Sequence, residues 1–565
     1  MKTVKRALAL VLALTLLLAM SATVFAAAQT YSITVKNENE SISIIGNTYY
    51  AYRIFDATYN GDNVAYTVNE NFTGFTYTVN DESYQGEALI NYLAGLTADS
   101  AALDAFAKAA LDYATTNHIA AAGTVNATGE TAVISVDAPG YYLVAGTATA
   151  PNNQTVTAAC SLTTAKPDAE VNVKADVPSI DKKIVEESGK VEANTANIGD
   201  KVSYEITSKV PNMKGYTQYF FVMNDTLSKG LTYNDDMVIK VGNTTLTKDT
   251  GYTVTADKNA NGTTSIEIVF KNFVGYKDRV GADVIVTYSA TLNQDASLDP
   301  VAGNPNKVQL TYSNNPNVDG NGDPQNPDKP GEGAPTGKTP ESETKTYVTG
   351  IKLTKVDGQN KNQTLTGAKF EIKGDGMKVV LVNNEMYKES AKGTYYMLKD
   401  GTYTTTVPVT DKNNAGYNAD RYDDTSKKYE KVDVVTKDTA LTKINATGYV
   451  DANGVLTFKG LGEGTYTIKE IVAPNGYNLL KDEITISIAA DAKLTGCTWN
   501  VTDSNSNALN VDSNHLYELT VENNAGAELP STGGIGTTVF YVLGGLLVVC
   551  AGVLLITKRR MNKNA

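Results

Sequence analysis

Lys355, Glu470 and Asn523 are three polar residues that strand periodicity aims at one interior. Side chains alternate faces along a strand. Ile351, Leu353 and Lys355 therefore share a face, as do Tyr466, Ile468 and Glu470, and Leu519, Val521 and Asn523. Left unpaired in a core, an amine, a carboxyl and a carboxamide would be costly. Burial favours the neutral forms, lowering the lysine pKa and raising that of the carboxyl. The neutral amine can then attack the Asn523 carboxamide while protonated Glu470 polarises its carbonyl and shuttles protons. Ammonia leaves, and an isopeptide bond joins Lys355 to Asn523. Held groups react fast because the fold has already brought them together. Taken singly, Lys355 reads as a surface lysine and Asn523 as a turn residue; the trio gives the crosslink reading.

A second set repeats the pattern upstream. Ile180, Lys182 and Ile184 share a face, which makes Lys182 rather than Lys183 the buried amine. Asn306 alternates in phase with Val308 and Leu310 and is the expected acceptor, with Asn314 as the second candidate. A salt-bridged lysine is the plainer alternative.

The elements around these residues are β-rich. The chain has 565 residues, room for about three to four domains. Lys+Arg 49 against Asp+Glu 62 gives a net charge of -13, which argues against a nucleic-acid partner. Two histidines and three cysteines leave little room for a metal site, a Ser-His-Asp triad or a zinc module, so no cofactor is expected. The 33 tyrosines against one tryptophan suit strands and turns. Cys160, Cys497 and Cys550 are too scattered for a disulfide framework.

The ends are informative. Lys2, Lys5 and Arg6 precede an apolar run over Ala7–Met20 and small residues at Ala26–Ala28, the order of a cleaved secretory signal. At the other end Leu529-Pro530-Ser531-Thr532-Gly533 stands before an apolar stretch, Thr537–Ile556, and a basic tail. That stretch is long enough to span a bilayer, with the tail cytoplasmic. The constellation resembles the wall-sorting signal of Gram-positive surface proteins. The resemblance implies that a sortase cysteine cleaves between Thr532 and Gly533 and passes the threonyl group to an amine. Both removals together take away seven basic residues and no acidic one, leaving a mature surface near -20.

Between the ends, the expected organisation is all-β, with three tandem immunoglobulin-like sandwiches. Its parts are a signal peptide (1–28), an N-terminal domain (29–175), a middle domain (176–315) and a Pro/Gly/Asn-rich linker (316–345). A C-terminal domain (346–525) and the sorting segment (526–565) follow. One helical stretch, over 87–116, is expected in the first domain, where Leu103, Phe106, Ala110 and Leu111 recur at helical spacing.

Thr349–Asp357, Leu365–Phe370 and Gly464–Tyr477 resemble the opening strand and E-box of Cna-B-type domains. Asn197–Tyr204 and Asn224–Leu231 are similar to the second domain of major pilins, a resemblance that implies Asp225 as the acid serving Lys182 and Asn306. Major pilins carry a polymerising lysine in a Tyr-Pro-Lys-Asn sequence at the first domain junction. Here Asn172-Val173-Lys174-Ala175 stands in its place, which implies Lys174 as the acceptor; an ordinary solvated lysine is the alternative. Ala175 also removes an asparagine that can serve as acceptor in the first domain.

The chain as a whole resembles a sortase-assembled backbone pilin. That implies a structural subunit joined from Thr532 to Lys174 of the next copy, with self-formed internal bonds and no turnover chemistry. The implied partners are sortase, identical subunits and peptidoglycan, then accessory pilins and host surface ligands. The implied location is the cell wall, after transient membrane anchoring. The alternatives are a monomeric wall-anchored adhesin or an accessory pilin. A wall-displayed enzyme is disfavoured because no His, Cys or carboxylate cluster converges outside the proposed crosslinks.

Overall fold

The computed structural model describes residues 30–562 apart from 38, 151–152, 319, 375–380, 383–386, 400–401, 432–445, 452 and 528–534. The expected signal peptide and the pentapeptide Leu529–Gly533 lie outside the described residues.

The architecture is a series of β-sandwiches. In the first block, β1 (Tyr31–Asn37) and β2 (Thr48–Asn60) lead into two helices, α1 (Gly86–Ala94) and α2 (Ala101–Thr116). Strands β3 (Thr131–Val136), β4 (Gly140–Thr149) and β5 (Asp168–Val173) follow. β1 pairs antiparallel with β3 and in parallel with β5, while β2 and β4 form a second sheet. The single helix expected over 87–116 is thus two. Gly95 caps the first, and the Ser100 hydroxyl accepts the Leu103 N–H to start the second. Between them Asp99 takes a left-handed conformation at φ 58°. Phe106, Ala107, Ala110 and Ala114 of α2 are buried against Ile54, Phe72 and Phe75.

The middle block is a two-layer sandwich. Its first sheet contains β6 (Asp181–Glu186) and β7 (Lys201–Lys209); its second contains β8 (Phe221–Leu227) and β9 (Thr264–Phe270). β10 (Asp283–Leu292) joins the first sheet and β11 (Asn304–Ser313) the second. β7 lies between β6 and β10, and β8 lies between β9 and β11. Ile206, Val286, Ile268 and Leu310 fill the space between the sheets.

Residues 316–345 do not form a linker. β12 (Thr336–Lys338) and β13 (Ser342–Tyr347) both pair with β11, and Thr344 and Thr346 are fully buried. Asn317 Nδ2 donates to the Ala158 carbonyl (2.9 Å), tying the same segment to the first block. The low apolar content misled because an added strand can bind largely through its backbone groups.

The C-terminal block pairs β14 (Thr349–Asp357) antiparallel with β16 (Val455–Leu461) and in parallel with β18 (Leu516–Asn523). Facing them, β15 (Lys369–Gly374) pairs with β17 (Gly464–Val472). Asn197 Oδ1 accepts hydrogen bonds from Gly462 N–H (3.1 Å) and Tyr466 Oη (2.9 Å), linking this block to the middle one. Gly460 sits at φ 86° with Ile198 so close that a Cβ would lie 2.5 Å from it. Beyond the sandwiches, α3 (Ile535–Met561) is a helix with a 24-residue apolar span, Thr538–Met561, that ends in Lys558, Arg559 and Arg560.

A fragment of residues 176–315 lacks β12 and β13 and should show no cooperative urea transition. A fragment of residues 176–348 should show one. Equal transitions for the two would contradict this role of the segment.

Candidate crosslink sites and acceptor lysine

Alternation along β6 puts Lys182 between the two sheets of the middle block, with no solvent exposure. Its Nζ donates to Asp225 Oδ1 (2.6 Å) and Oδ2 (2.7 Å) on β8. It also reaches Asn306 Oδ1 on β11 (2.5 Å) and Tyr288 Oη on β10 (2.7 Å). Tyr288 Oη donates to Asp225 Oδ2 (2.5 Å) and accepts from Asn306 Nδ2 (2.8 Å). The Tyr204 and Tyr288 rings lie 5.4 and 5.2 Å from the amine. Burial pulls the Lys182 pKa down to about 8, against the opposing charge of Asp225. The same burial, then the charge of Asp225, pushes Tyr288 well above an ordinary phenol. The asparagine that meets the amine is Asn306, not Asn314. Its strand is not the last of the sandwich, because β13 follows it.

The second set spans the C-terminal sandwich differently. Lys355 and Asn523 lie on adjacent parallel strands, β14 and β18, while Glu470 faces them from β17. All three are buried. Lys355 Nζ donates to the Val521 carbonyl (2.9 Å), two residues before Asn523. Asn523 Nδ2 donates to both Glu470 oxygens (3.0 Å each), and the Leu480 N–H donates to Glu470 Oε2 (2.9 Å). Asn523 Oδ1 is buried and has no hydrogen-bond partner among the described residues. Burial pulls Lys355 down to about 8, with the charge of Glu470 opposing.

Lys174 follows β5, and its carbonyl accepts the Ala159 N–H (3.1 Å). Its side chain is 21% exposed, and its Nζ meets Asp99 Oδ1 at 3.1 Å. It is thus a tethered lysine rather than a freely solvated one.

Sequence reasoning missed Tyr204 and Tyr288. Both alternate in phase with buried residues on β7 and β10, but with 33 tyrosines in the chain that signal does not single them out.

Tyr288→Phe removes the hydroxyl shared by the amine, the carboxylate and the carboxamide. It should lower the stability of the middle sandwich by about 1–3 kcal/mol in thermal melts; an unchanged melt would contradict the shared bond. A pH series tests Lys355. Asn523→Ala leaves its amine buried, with a pKa near 8 instead of the exposed 10.5. Between those values the unfolded chain holds a proton that the folded chain releases. Stability therefore rises with pH across that window and falls as pH drops toward 8. Asn523→Ala should gain stability relative to Asn523→Ala/Lys355→Met from pH 8 to 10.5, and parallel curves would contradict the shift.

Comparison with known proteins agrees with this architecture. Residues 198–316 match the model of the Gram-positive pilin backbone subunit 2, Cna-B-like domain. Residues 422–503 match the SpaA prealbumin-like fold domain, and 521–563 the LPXTG cell wall anchor motif. The trypsin-resistant surface T6 protein of Streptococcus pyogenes serotype M6 is 25% identical over 482 residues, covering 80% of this chain and 77% of that protein. The solved T6 backbone pilin of the same serotype shares the fold, with TM-score 0.50 and 18% identity over 88% of this chain and 99% of that one. The major pilin BcpA of Bacillus cereus aligns over 88% of this chain and 99% of its own, with TM-score 0.40 and 17% identity. The chain thus joins a Gram-positive pilin backbone domain and a prealbumin-like domain to an LPXTG cell wall anchor motif, and in this it is similar to the wall-anchored backbone pilins of Gram-positive bacteria.

Proposed function

We propose that the chain forms two internal isopeptide bonds, Lys182 to Asn306 and Lys355 to Asn523, and is polymerised from Thr532 to Lys174 of the next copy. The observation that carries the first part is a dry lysine whose amine touches both a carboxylate and a carboxamide. A proton passes from the Lys182 ammonium to Asp225, leaving a neutral amine. Its lone pair attacks Asn306 Cγ, and protonated Asp225 supports the developing oxyanion. The proton lost by the amine moves to the carboxamide nitrogen, ammonia departs, and it carries off the proton held by Asp225 as ammonium, which regenerates the carboxylate. Glu470 serves Lys355 and Asn523 in the same way. Turning the Asn523 carboxamide by half a rotation offers its unpartnered Oδ1 to a protonated Glu470.

Lys182 and Asn306 are 124 residues apart, and Lys355 and Asn523 are farther still. On the chain-entropy model each bond stabilises by about 4–5 kcal/mol. In the fibre, the sortase cysteine takes the Thr532 carbonyl from Gly533, and the Lys174 amine displaces it. The pilus so formed would carry accessory pilins outward and support adhesion to host surfaces.

Mass spectrometry of a muramidase-released wall digest tests the intersubunit bond. The expected branched peptide carries the Thr532 carboxyl on the Lys174 ε-amine. Thr532 found only on peptidoglycan amines would make the chain a solitary wall-anchored adhesin.

A further inference from the structure

Lys174 is not the only amine at its site. Lys214 Nζ lies 2.6 Å from the same oxygen, Asp99 Oδ1, and 3.7 Å from Asp104 Oδ1. Its side chain is as shielded as that of Lys174. The backbone fixes both lysines: the Asn212 N–H donates to Asp176 Oδ2 (2.7 Å), so the turn carrying Lys214 is bound two residues past Lys174. The Lys214 N–H in turn donates to Asn212 Oδ1 (3.1 Å).

Access distinguishes the two. A cavity of about 370 Å³ is lined by Lys174, Lys214 and Asp99. A larger cleft of about 1180 Å³ runs between α2 and the middle sandwich, past Asp99, Lys108, Lys214, Lys277 and Asn317. Lys214 borders both spaces, whereas Lys174 borders only the smaller. An extended tetrapeptide is about 13 Å long, a length that a cleft of that size can hold.

We infer that Lys174 and Lys214 form one acceptor site, with Asp99 positioning both amines and Lys214 able to take the threonyl group of a second copy. The inference rests on the reading that the fibre bond forms at this junction. The chemistry is the same at either nitrogen. The ammonium paired with Asp99 first gives a proton to a basic side chain of the sortase; the neutral amine then attacks the threonyl thioester, a C–N bond forms, and the C–S bond breaks. The cysteine sulfur leaves with the electron pair, and the proton shed by the amine restores the thiol. In the resting site Asp99 is an anion, because hydrogen bonds from Lys214 and then Lys174 hold its pKa at about 2.

Arginine removes the acylable amine while keeping a cation for Asp99. Lys174→Arg, Lys214→Arg and the double variant are therefore compared in the full chain, in the organism that makes it, by immunoblot ladder and wall-digest mass spectrometry. Each single variant should retain a ladder, with the branched peptide on the remaining lysine, and the double variant should yield only wall-attached monomer. Loss of the ladder in Lys174→Arg, with the monomer still on the wall, would overturn the role of Lys214 and leave Lys174 as the acceptor. A ladder that survives the double variant would overturn this inference and the Lys174 assignment together. Asp99→Ala should shift the ratio of the two branched peptides, and an unchanged ratio would remove its positioning role.

Discussion

A lysine amine sealed inside a protein sandwich is the constraint around which the molecule is arranged. Lys182 has no solvent exposure, and the groups that answer its charge come from both sheets. A buried ion pair repays its desolvation poorly, and removing one partner leaves an expensive charge. An amide needs no counter-ion. Condensation with Asn306 would convert the least favourable group in the core into a neutral link between the sheets. Asp225 and Tyr288 would remain to satisfy its polar atoms.

The two blocks solve the same problem with different geometry. In the middle sandwich the amine and the carboxamide sit on opposite sheets, so a bond would staple the layers face to face. In the C-terminal sandwich Lys355 and Asn523 sit on neighbouring parallel strands, and only Glu470 comes from across the core. There a bond would lock β14 to β18 within one sheet. If the fibre bond runs from Thr532 to Lys174, as proposed, a pull along the fibre would reach both links directly. The first block precedes Lys174 and would stay outside that path, which fits the absence of an asparagine at position 175.

Much of this was legible in the strand alternation. Ile180, Lys182 and Ile184, like Ile351, Leu353 and Lys355, announce an inward lysine because period two leaves no other face for it. Other parts depended on contacts that no local pattern encodes. Tyr288 matters only through the strands it meets across the sandwich. Lys214 stands beside Lys174 only because the first two blocks dock. Residues 316–345 read as a linker because their strands are held by backbone bonds, and composition reports side chains. The break between α1 and α2 did leave a trace: Gly95 and Ser100 are capping residues inside the helical stretch.

The intact mass of the purified mature chain under denaturing conditions tests the central claim most directly. Two internal bonds require a mass below that of the sequence by two molecules of ammonia, with Lys182→Ala and Lys355→Ala each restoring one. The full sequence mass, with both amines free to chemical labelling after unfolding, would contradict it.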